Sequence, residues 1–321
     1  MVTSVIRSDC QTQIPVGRLA PSPTGVLHLG NARSFLLAWL LARSAGGSLL
    51  MRVEDIDGPR IREGAAQQAL DDIRWLGLDW DSEVVYQSTR LAEYAAIVDH
   101  FLSTGLAYPC VCTRREVEEA ASAPHESWHD AVVYPGTCRG LFTTRQEARE
   151  VSGRDPAVRF RVEVDEVAFL DGFLGRQRGQ IAGDFVVQKR DGGPAYQLGV
   201  VVDDVASGVT QVLRGDDLLV STPRQLLLYE ALGSSPPQFT HVPLVVGSDG
   251  KRLAKRHGDT SLRRFREDGV SPEQVVGYLA WISGLQDTAE PCTAQSLLDG
   301  FSLQKIPAQP AVVREPWCGT D

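Results

Sequence analysis

The chain has 321 residues, 43% hydrophobic and 23% charged, a globular composition that excludes disorder, collagen and coiled coil as its main state; at roughly 150 residues per domain it allows about two domains, or one α/β body with an insertion. Thirty-two basic against 41 acidic residues leave a net charge of −9, which argues against a general affinity for nucleic acid. No apolar run approaches the ~18 residues of a membrane span, and Met1–Gln13 has no apolar signal-peptide core, so a cytoplasmic protein with no membrane partner is expected.

Ile14–Ala20 reads as a short buried strand. Pro21-Ser22-Pro23-Thr24-Gly25 is a turn, and Leu29–Ser44 is a helix with Leu36, Leu37, Leu40 and Leu41 at helical spacing. Strand, Gly/Pro turn and helix open a nucleotide-binding α/β unit. Ser48–Val53 is a second strand, Ile61–Leu76 a helix with Glu63 in its first turn, and Leu91–Thr104 a helix stopped by Gly105. Residues 106–156 lose periodicity and read as an insertion with its own metal core. Alternation returns at Val158, Phe160, Val162 and Val164, then at Phe185–Val187, as sheet. Tyr196–Asp204 is a buried run ending in two acids, and Thr222–Leu232 is a helix. Val242–Val246 is strand-like and leads into a turn at Ser248-Asp249-Gly250. Ser271–Ile282 is a helix with Ser271 as N-cap and Pro272 in its first position. Ile306–Asp321, with three prolines, reads as a loose tail. The expected division is an α/β catalytic domain over 14–105 and 157–240, a zinc-bearing insertion over 106–156, a loop and helical region over 241–305, and the tail.

Three constellations carry chemistry. In the first, His28 stands two residues before Gly30 and three before Asn31 at the mouth of a helix. There free N–H groups and the helix dipole favour phosphate, and Gly30 leaves room for a purine or ribose; a structural histidine is the plain alternative. The second is Gly250–Gly258, in which Lys251 and Lys255 can bring charge onto a polyphosphate, the alternative being a solvated basic loop. The window 251–266 holds seven Lys or Arg against one acid, Asp259. The third is Cys110-x-Cys112 with Cys138. In a cytosolic chain, clustered thiols read as zinc ligands sooner than as disulfides, and His125 or His129 is the fourth ligand that coordination chemistry suggests.

The first segment resembles the "HIGH" signature of class I aminoacyl-tRNA synthetases, and Arg252–Arg256 resembles their "KMSKS" signature. More narrowly, Gly17–Gly25, Arg52-Val53-Glu54-Asp55-Ile56-Asp57, Tyr196-Gln197-Leu198, Val201-Val202-Asp203-Asp204, Leu213–Leu218 and His241-Val242-Pro243-Leu244 are similar to the glutamyl branch. The resemblance spans roughly residues 14–290. Only 65 residues follow Arg256, too few for the helical anticodon-reading domains of a full glutamyl enzyme. The pattern therefore resembles the glutamyl-Q tRNA(Asp) synthetase family, which attaches glutamate to queuosine in tRNA(Asp).

That resemblance implies a Rossmann-type core with a zinc-bearing insertion and a short helical C-terminal region. It implies ATP with Mg2+, L-glutamate and tRNA(Asp) carrying queuosine as partners; the chain is expected to be a monomer. It assigns the nucleotide to His28, Gly30, Asn31 and Lys255, with His28 and Lys255 stabilising the phosphates. Glutamate falls to Arg18 and Arg214 for its carboxylates, Glu54 for its ammonium, Tyr196 for one carboxylate, and Leu19, Ala20, Pro21 and Ser22 as lining. It makes Tyr134 the fourth ligand of one structural zinc beside Cys110, Cys112 and Cys138. Three positions depart from the pattern: Asn31 where the consensus has His, Ala254 where it has Ser, and Val200 where tRNA-charging glutamyl enzymes carry Asn. The alternatives are an ordinary glutamyl enzyme in shortened form, or a carboxylate–amine ligase on the same fold.

Overall fold

The computed structural model describes residues 14–56, 58–121, 133–251, 253 and 260–313. Strand β1 (Val16–Leu19) leads through the Pro/Gly turn into helix α1 (Leu29–Ser44), followed by β2 (Ser48–Val53), α2 (Ala65–Trp75), β3 (Val84–Tyr86) and α3 (Leu91–Ser103). The middle of the chain holds β4 (Ala107–Cys110), α4 (Arg114–Ala121), α5 (Arg145–Ser152), β5 (Ala157–Phe160), β6 (Glu166–Asp171), β7 (Gly175–Gln180) and β8 (Phe185–Gln188). Then come α6 (Tyr196–Ala206), β9 (Gln211–Gly215), α7 (Thr222–Ala231), β10 (Gln238–Val242), β11 (Val245–Val246), α8 (Leu262–Glu267), α9 (Pro272–Ile282) and β12 (Ala311–Val312).

The strands β1, β2 and β3 run parallel, as do β9 and β10. Thr210, just before β9, joins the two groups: its amide donates to Val16 O at 2.9 Å and its hydroxyl accepts from Val16 N at 2.9 Å. The order is thus β3-β2-β1-β9-β10. The chain leaves β1 toward β2 on one side, and β9 flanks β1 on the other. A doubly wound sheet binds ligands at that switch point, beyond the carboxyl ends of its strands.

α1 crosses this sheet as a helix buried nearly all round. Leu29, Ala32, Leu36, Leu37, Ala38, Trp39, Leu40 and Ala42 are all buried, and each fully buried large apolar side chain contributes roughly 1.5–3 kcal/mol. Arg33 on the same helix is 1% exposed; its Nε donates to Ser283 Oγ (2.8 Å) and its Nη1 to Pro243 O (2.6 Å), tying α1 to the β10–β11 connection and to the end of α9. A second core cluster joins α3, β5, β8, α6 and α7, and includes Val200. The antiparallel sheet β4-β5-β8 pairs residues 107–110 with 157–160, so the Cys-bearing strand and the strand after residue 156 share one sheet. Among the described residues no helix is long and apolar enough to cross a membrane.

Three sequence expectations change. The helix expected from Ile61 starts at Ala65, because Gly64 takes a left-handed turn (φ 74°) as its N-cap; Glu63 precedes the helix. The strand expected over Val242–Val246 splits at Pro243: Val242 ends β10 and Val245–Val246 form β11. The expected tail from Ile306 is packed as far as Val313, with Ile306, Ala311 and Val313 buried and β12 parallel to β11.

Candidate active site and metal centre

His28 is the N-cap of α1. Its Nδ1 accepts the Gly30 amide (3.1 Å), and its own amide donates to Asn31 Oδ1 (3.1 Å). A neutral ring that accepts at Nδ1 carries its proton on Nε2, where it is a donor. The His-x-Gly spacing follows from this fold: a Cβ on Gly30 would sit 2.9 Å from His28 Cε1 and 3.1 Å from Nδ1. The room beside Gly30 is taken by the imidazole, and Asn31 serves as a cap. The Leu29 amide is engaged too, donating to Thr260 O at 3.0 Å, while Leu262 N donates to Leu27 O at 2.9 Å. The helix mouth therefore offers its dipole and the His28 ring, with two of its first amides already used. The same two bonds bring the far end of the basic loop against the start of α1. Lys255, Arg252, Ala254 and Arg256, together with Asp57, lie outside the described residues.

A buried ionic cluster sits at the carboxyl ends of β1, β2 and β9. Arg18 on β1 is 3.8 Å from Asp204. Arg52 on β2 pairs with Asp204, with Asp203 (3.7 Å) and with Glu54 (3.0 Å). Burial opposes the Arg52 charge, and the three carboxylates overcome it, holding the guanidinium firmly protonated. Asp203 further accepts from Gln87 (2.7 Å) and Tyr94 (2.9 Å). The Glu54 amide donates to Pro21 O at 2.9 Å and Ser22 Oγ lies 3.4 Å from Glu54 Oε2, which sets the turn after Leu19 and Ala20 against this cluster. Asp55 caps the turn at Ser88, accepting from its amide (2.8 Å) and hydroxyl (2.6 Å).

Tyr196 opens α6 at the edge of the cluster. Desolvation and the Glu54 carboxylate raise its phenol above the ordinary value, against the pull of Arg214, Arg18 and Arg52. Arg214, on β9, is 6% exposed. Its Nε donates to His241 Nε2 (3.0 Å) and its Nη2 to Thr222 Oγ1 (2.9 Å), and its Cζ lies 5.0 Å from the Phe239 ring centroid. Burial lowers its pKa. Among the described residues Arg18 has Asp204 beside it, whereas Arg214 has no carboxylate within ion-pair distance.

The three sulfurs of Cys110, Cys112 and Cys138 lie within 4.8 Å of one another. Tyr134 completes the group: its hydroxyl oxygen is 3.3 Å from Cys110 Sγ and 3.6 Å from Cys112 Sγ, and accepts the Cys138 amide at 2.9 Å. Arg159 stacks over the Tyr134 ring (3.7 Å) and donates to Cys110 Sγ (3.3 Å), a cation beside donors that become anionic on binding a metal. Three thiolates and one oxygen converging on a buried point are a donor set suited to tetrahedral zinc. His125 and His129 lie outside the described residues.

The structure brings Arg18, Glu54, Tyr196 and Arg214 together with the turn 19–22, and the three cysteines with Tyr134. Sequence reasoning missed Arg52, Asp203 and Asp204 as a network, named His241 only within a motif of the glutamyl branch and without a role, and did not single out Asp171. An arginine inside the apolar strand Leu49-Leu50-Met51-Arg52-Val53 was the available signal, since a buried charge demands partners. The basic window also changes character: Arg263 pairs with Glu267 (2.8 Å), Arg264 with Asp268 (2.7 Å) and Arg266 with Asp72 (2.9 Å).

This parallel sheet, with a His-capped helix at its switch point and a buried ionic cluster beside it, is a class I synthetase catalytic core. The family model for class I tRNA synthetases (E and Q), catalytic domain, matches residues 16–315. The glutamyl-Q tRNA(Asp) synthetase of Symbiobacterium thermophilum is 50% identical over 304 residues, covering 92% of this chain and 94% of that protein. The glutamate–tRNA ligase of Synechococcus sp. (strain JA-3-3Ab) is 43% identical over 270 residues, covering 83% of this chain and 56% of that protein. A crystal structure of a glutamate tRNA ligase from Elizabethkingia meningosepticum, in complex with its amino acid, superposes with a TM-score of 0.81 at 26% identity, covering 95% of this chain and 68% of that one. The chain belongs to the glutamyl-Q tRNA(Asp) synthetase family of class I tRNA synthetases.

Proposed function

We propose that this enzyme joins L-glutamate to ATP as glutamyl-adenylate and transfers the glutamyl group to queuosine at the wobble position of tRNA(Asp). The observation that carries the substrate assignment is Arg214, a buried guanidinium at the switch point with no protein carboxylate beside it among the described residues. The acceptor follows from the near-full-length likeness to glutamyl-Q tRNA(Asp) synthetases.

Glutamate brings two carboxylates and an ammonium. Arg18 and Arg214 hold the carboxylates, because guanidinium forks match them bidentately. Glu54 takes the ammonium, Tyr196 donates its hydroxyl, and Ser22 with the Leu19, Ala20 and Pro21 backbone lines the pocket. The attacking α-carboxylate is already an anion, so no general base is required; positioning and charge neutralisation set the rate. A carboxylate oxygen bonds to the α-phosphorus of ATP as the bond to the β-phosphate breaks, and pyrophosphate leaves. A hydroxyl of the queuosine cyclopentenediol then attacks the glutamyl carbonyl and AMP departs. His28, seated by Gly30 and Asn31, and Lys255 on the loop stabilise the phosphate charge; Mg2+, when bound, neutralises more of it. Cys110, Cys112, Cys138 and Tyr134 would hold one structural zinc, which would tie the 134–138 segment to the end of β4.

The test offers labelled glutamate with tRNA(Asp) carrying queuosine, the same tRNA lacking it, a 3′-truncated form of the queuosine-bearing tRNA, and tRNA(Glu). Labelling of the truncated, queuosine-bearing tRNA is expected. The structural likeness to a glutamate tRNA ligase favours a second reading, a glutamyl enzyme of ordinary acceptor; label confined to intact tRNA(Glu) would establish it.

A further inference from the structure

We infer that Asp171 and His241 are positioning residues that aim the Arg214 guanidinium as the receptor of one substrate carboxylate. This deepens the reading of Arg214 given above and rests on it. Asp171 ends β6, outside the parallel sheet, and His241 lies on β10 opposite Arg214 in the β9–β10 register. Both side chains are fully buried.

The direction of every bond in this chain is fixed. Asp171 Oδ1 accepts the amides of Phe173 (2.9 Å), Leu174 (2.9 Å) and His241 (3.2 Å). Asp171 Oδ2 is 2.6 Å from His241 Nδ1. A carboxylate only accepts, so Nδ1 carries the proton, and in a neutral ring Nε2 must then accept. It accepts from Arg214 Nε at 3.0 Å and from the Thr222 hydroxyl at 3.2 Å, and Thr222 Oγ1 in turn accepts from Nη2 at 2.9 Å. The Nε–Nη2 edge of the guanidinium is thereby anchored on neutral acceptors, and its face rests on Phe239. The charge stays whole, and the Nη1 protons and the second Nη2 proton point as a fork along the remaining edge. A carboxylate in the place of His241 would have neutralised that charge. An imidazole in the other tautomer would have set N–H against N–H. Asp171 fixes the tautomer, and the tautomer fixes the fork, as a carboxylate partner does for a metal-binding histidine.

The experiment is glutamate-dependent ATP–pyrophosphate exchange with the full chain. In Asp171→Asn the amide oxygen keeps the backbone bonds, the amide nitrogen faces Nδ1, and the ring is forced to carry its proton on Nε2, toward Arg214. The KM for glutamate should rise about tenfold or more, with the KM for ATP within about twofold of the parent. His241→Gln presents an oxygen near the Nε2 position and needs no tautomer, so the double variant Asp171→Asn/His241→Gln should recover most of the glutamate KM lost in Asp171→Asn. Because KM does not depend on the folded fraction, partial misfolding does not mask the result. Arg214→Ala tests the reading beneath: if it leaves the glutamate KM unchanged, Arg214 is not a carboxylate receptor. If Arg214→Ala raises that KM while Asp171→Asn does not, or if the double variant is no better than Asp171→Asn, the positioning role is overturned and the receptor role stands.

Discussion

The hydroxyl of Tyr134 lies 3.3 Å from the sulfur of Cys110 and 3.6 Å from that of Cys112, a fourth donor beside the three thiols of Cys110, Cys112 and Cys138. A phenol beside three sulfurs, with an amide N–H donating to its oxygen and an arginine stacked on its ring, is placed to act as an anionic ligand. Purified protein is expected to contain about one zinc per chain, and Tyr134→Phe to lose it to chelators faster than the parent. His125→Ala and His129→Ala should retain the metal. Metal analysis after dialysis against a chelator measures this; loss in either His variant with retention in Tyr134→Phe would overturn the ligand set.

Gly30 gives a variant in which fold and activity separate. Alanine is favoured over glycine in a helix by roughly 1 kcal/mol, and losing the His28 cap costs about as much, so Gly30→Ala should melt close to the parent. Its new Cβ would meet the imidazole at 2.9 Å and displace His28 from the helix mouth. A fall of about tenfold or more in exchange rate with little change in melting temperature is expected. Parent-like exchange would show that the His28 ring can leave this position without consequence. Lys255→Ala should likewise lower the exchange rate more than it raises the glutamate KM, since a loop lysine meets phosphate mainly in the transition state.

Much of the architecture could be read from local pattern. Helix α1 and strand β2 fall where the sequence puts them, and Ser271 and Pro272 cap α9 as their chemistry dictates. What escaped depends on distant partners. Ala311 and Val312 look like tail until Val245 and Val246 supply a strand for them to join. Asp171 and His241 are 70 positions apart and gain meaning only once β6 and β10 meet. The basic window looked strong because it stopped at Arg266, just short of Glu267 and Asp268, which neutralise two of its arginines at i,i+4 spacing. Tyr134 came from family resemblance, since no composition rule prefers a tyrosine to a nearby histidine as a zinc ligand.

Arg52 is the hub of the buried charges and its removal should cost the fold heavily. Arg52→Ala leaves the buried Asp203 and Asp204, and the partly buried Glu54, with one cation fewer. Breaking a buried pair typically costs about 3–5 kcal/mol. Arg90 remains 3.1 Å from Asp203 and Arg18 remains 3.8 Å from Asp204, so the loss should fall at the lower end, about 3 kcal/mol. Urea unfolding measures it through the midpoint. A loss below about 1 kcal/mol would mean that the three carboxylates shed their charge or reach solvent when Arg52 goes.

His241 should leave a signature in how stability varies with pH. Burial, opposed by the Asp171 hydrogen bond and reinforced by the Arg214 charge, holds the folded-state pKa of His241 below the ordinary 6.5. Above pH 6.5 the ring is neutral in both folded and unfolded chains and contributes no slope. As the pH falls below 6.5, the unfolded chain takes up the proton first, and stability drops until the folded-state value is reached. Asp171 adds nothing in this window. Burial pushes its carboxyl up, but the bonds from His241 and from the Leu174 and Phe173 amides outweigh that and keep it ionised below its ordinary range. The slope from one such group is at most about 1.4 kcal/mol per pH unit. His241→Gln, which has no proton to gain, should therefore lose less stability than the parent between pH 6.5 and 5.5, whatever its stability at pH 7.5. Urea unfolding at these three pH values gives both slopes. Equal slopes in parent and variant would mean that His241 protonates as readily in the fold as out of it, and that burial does not hold it neutral.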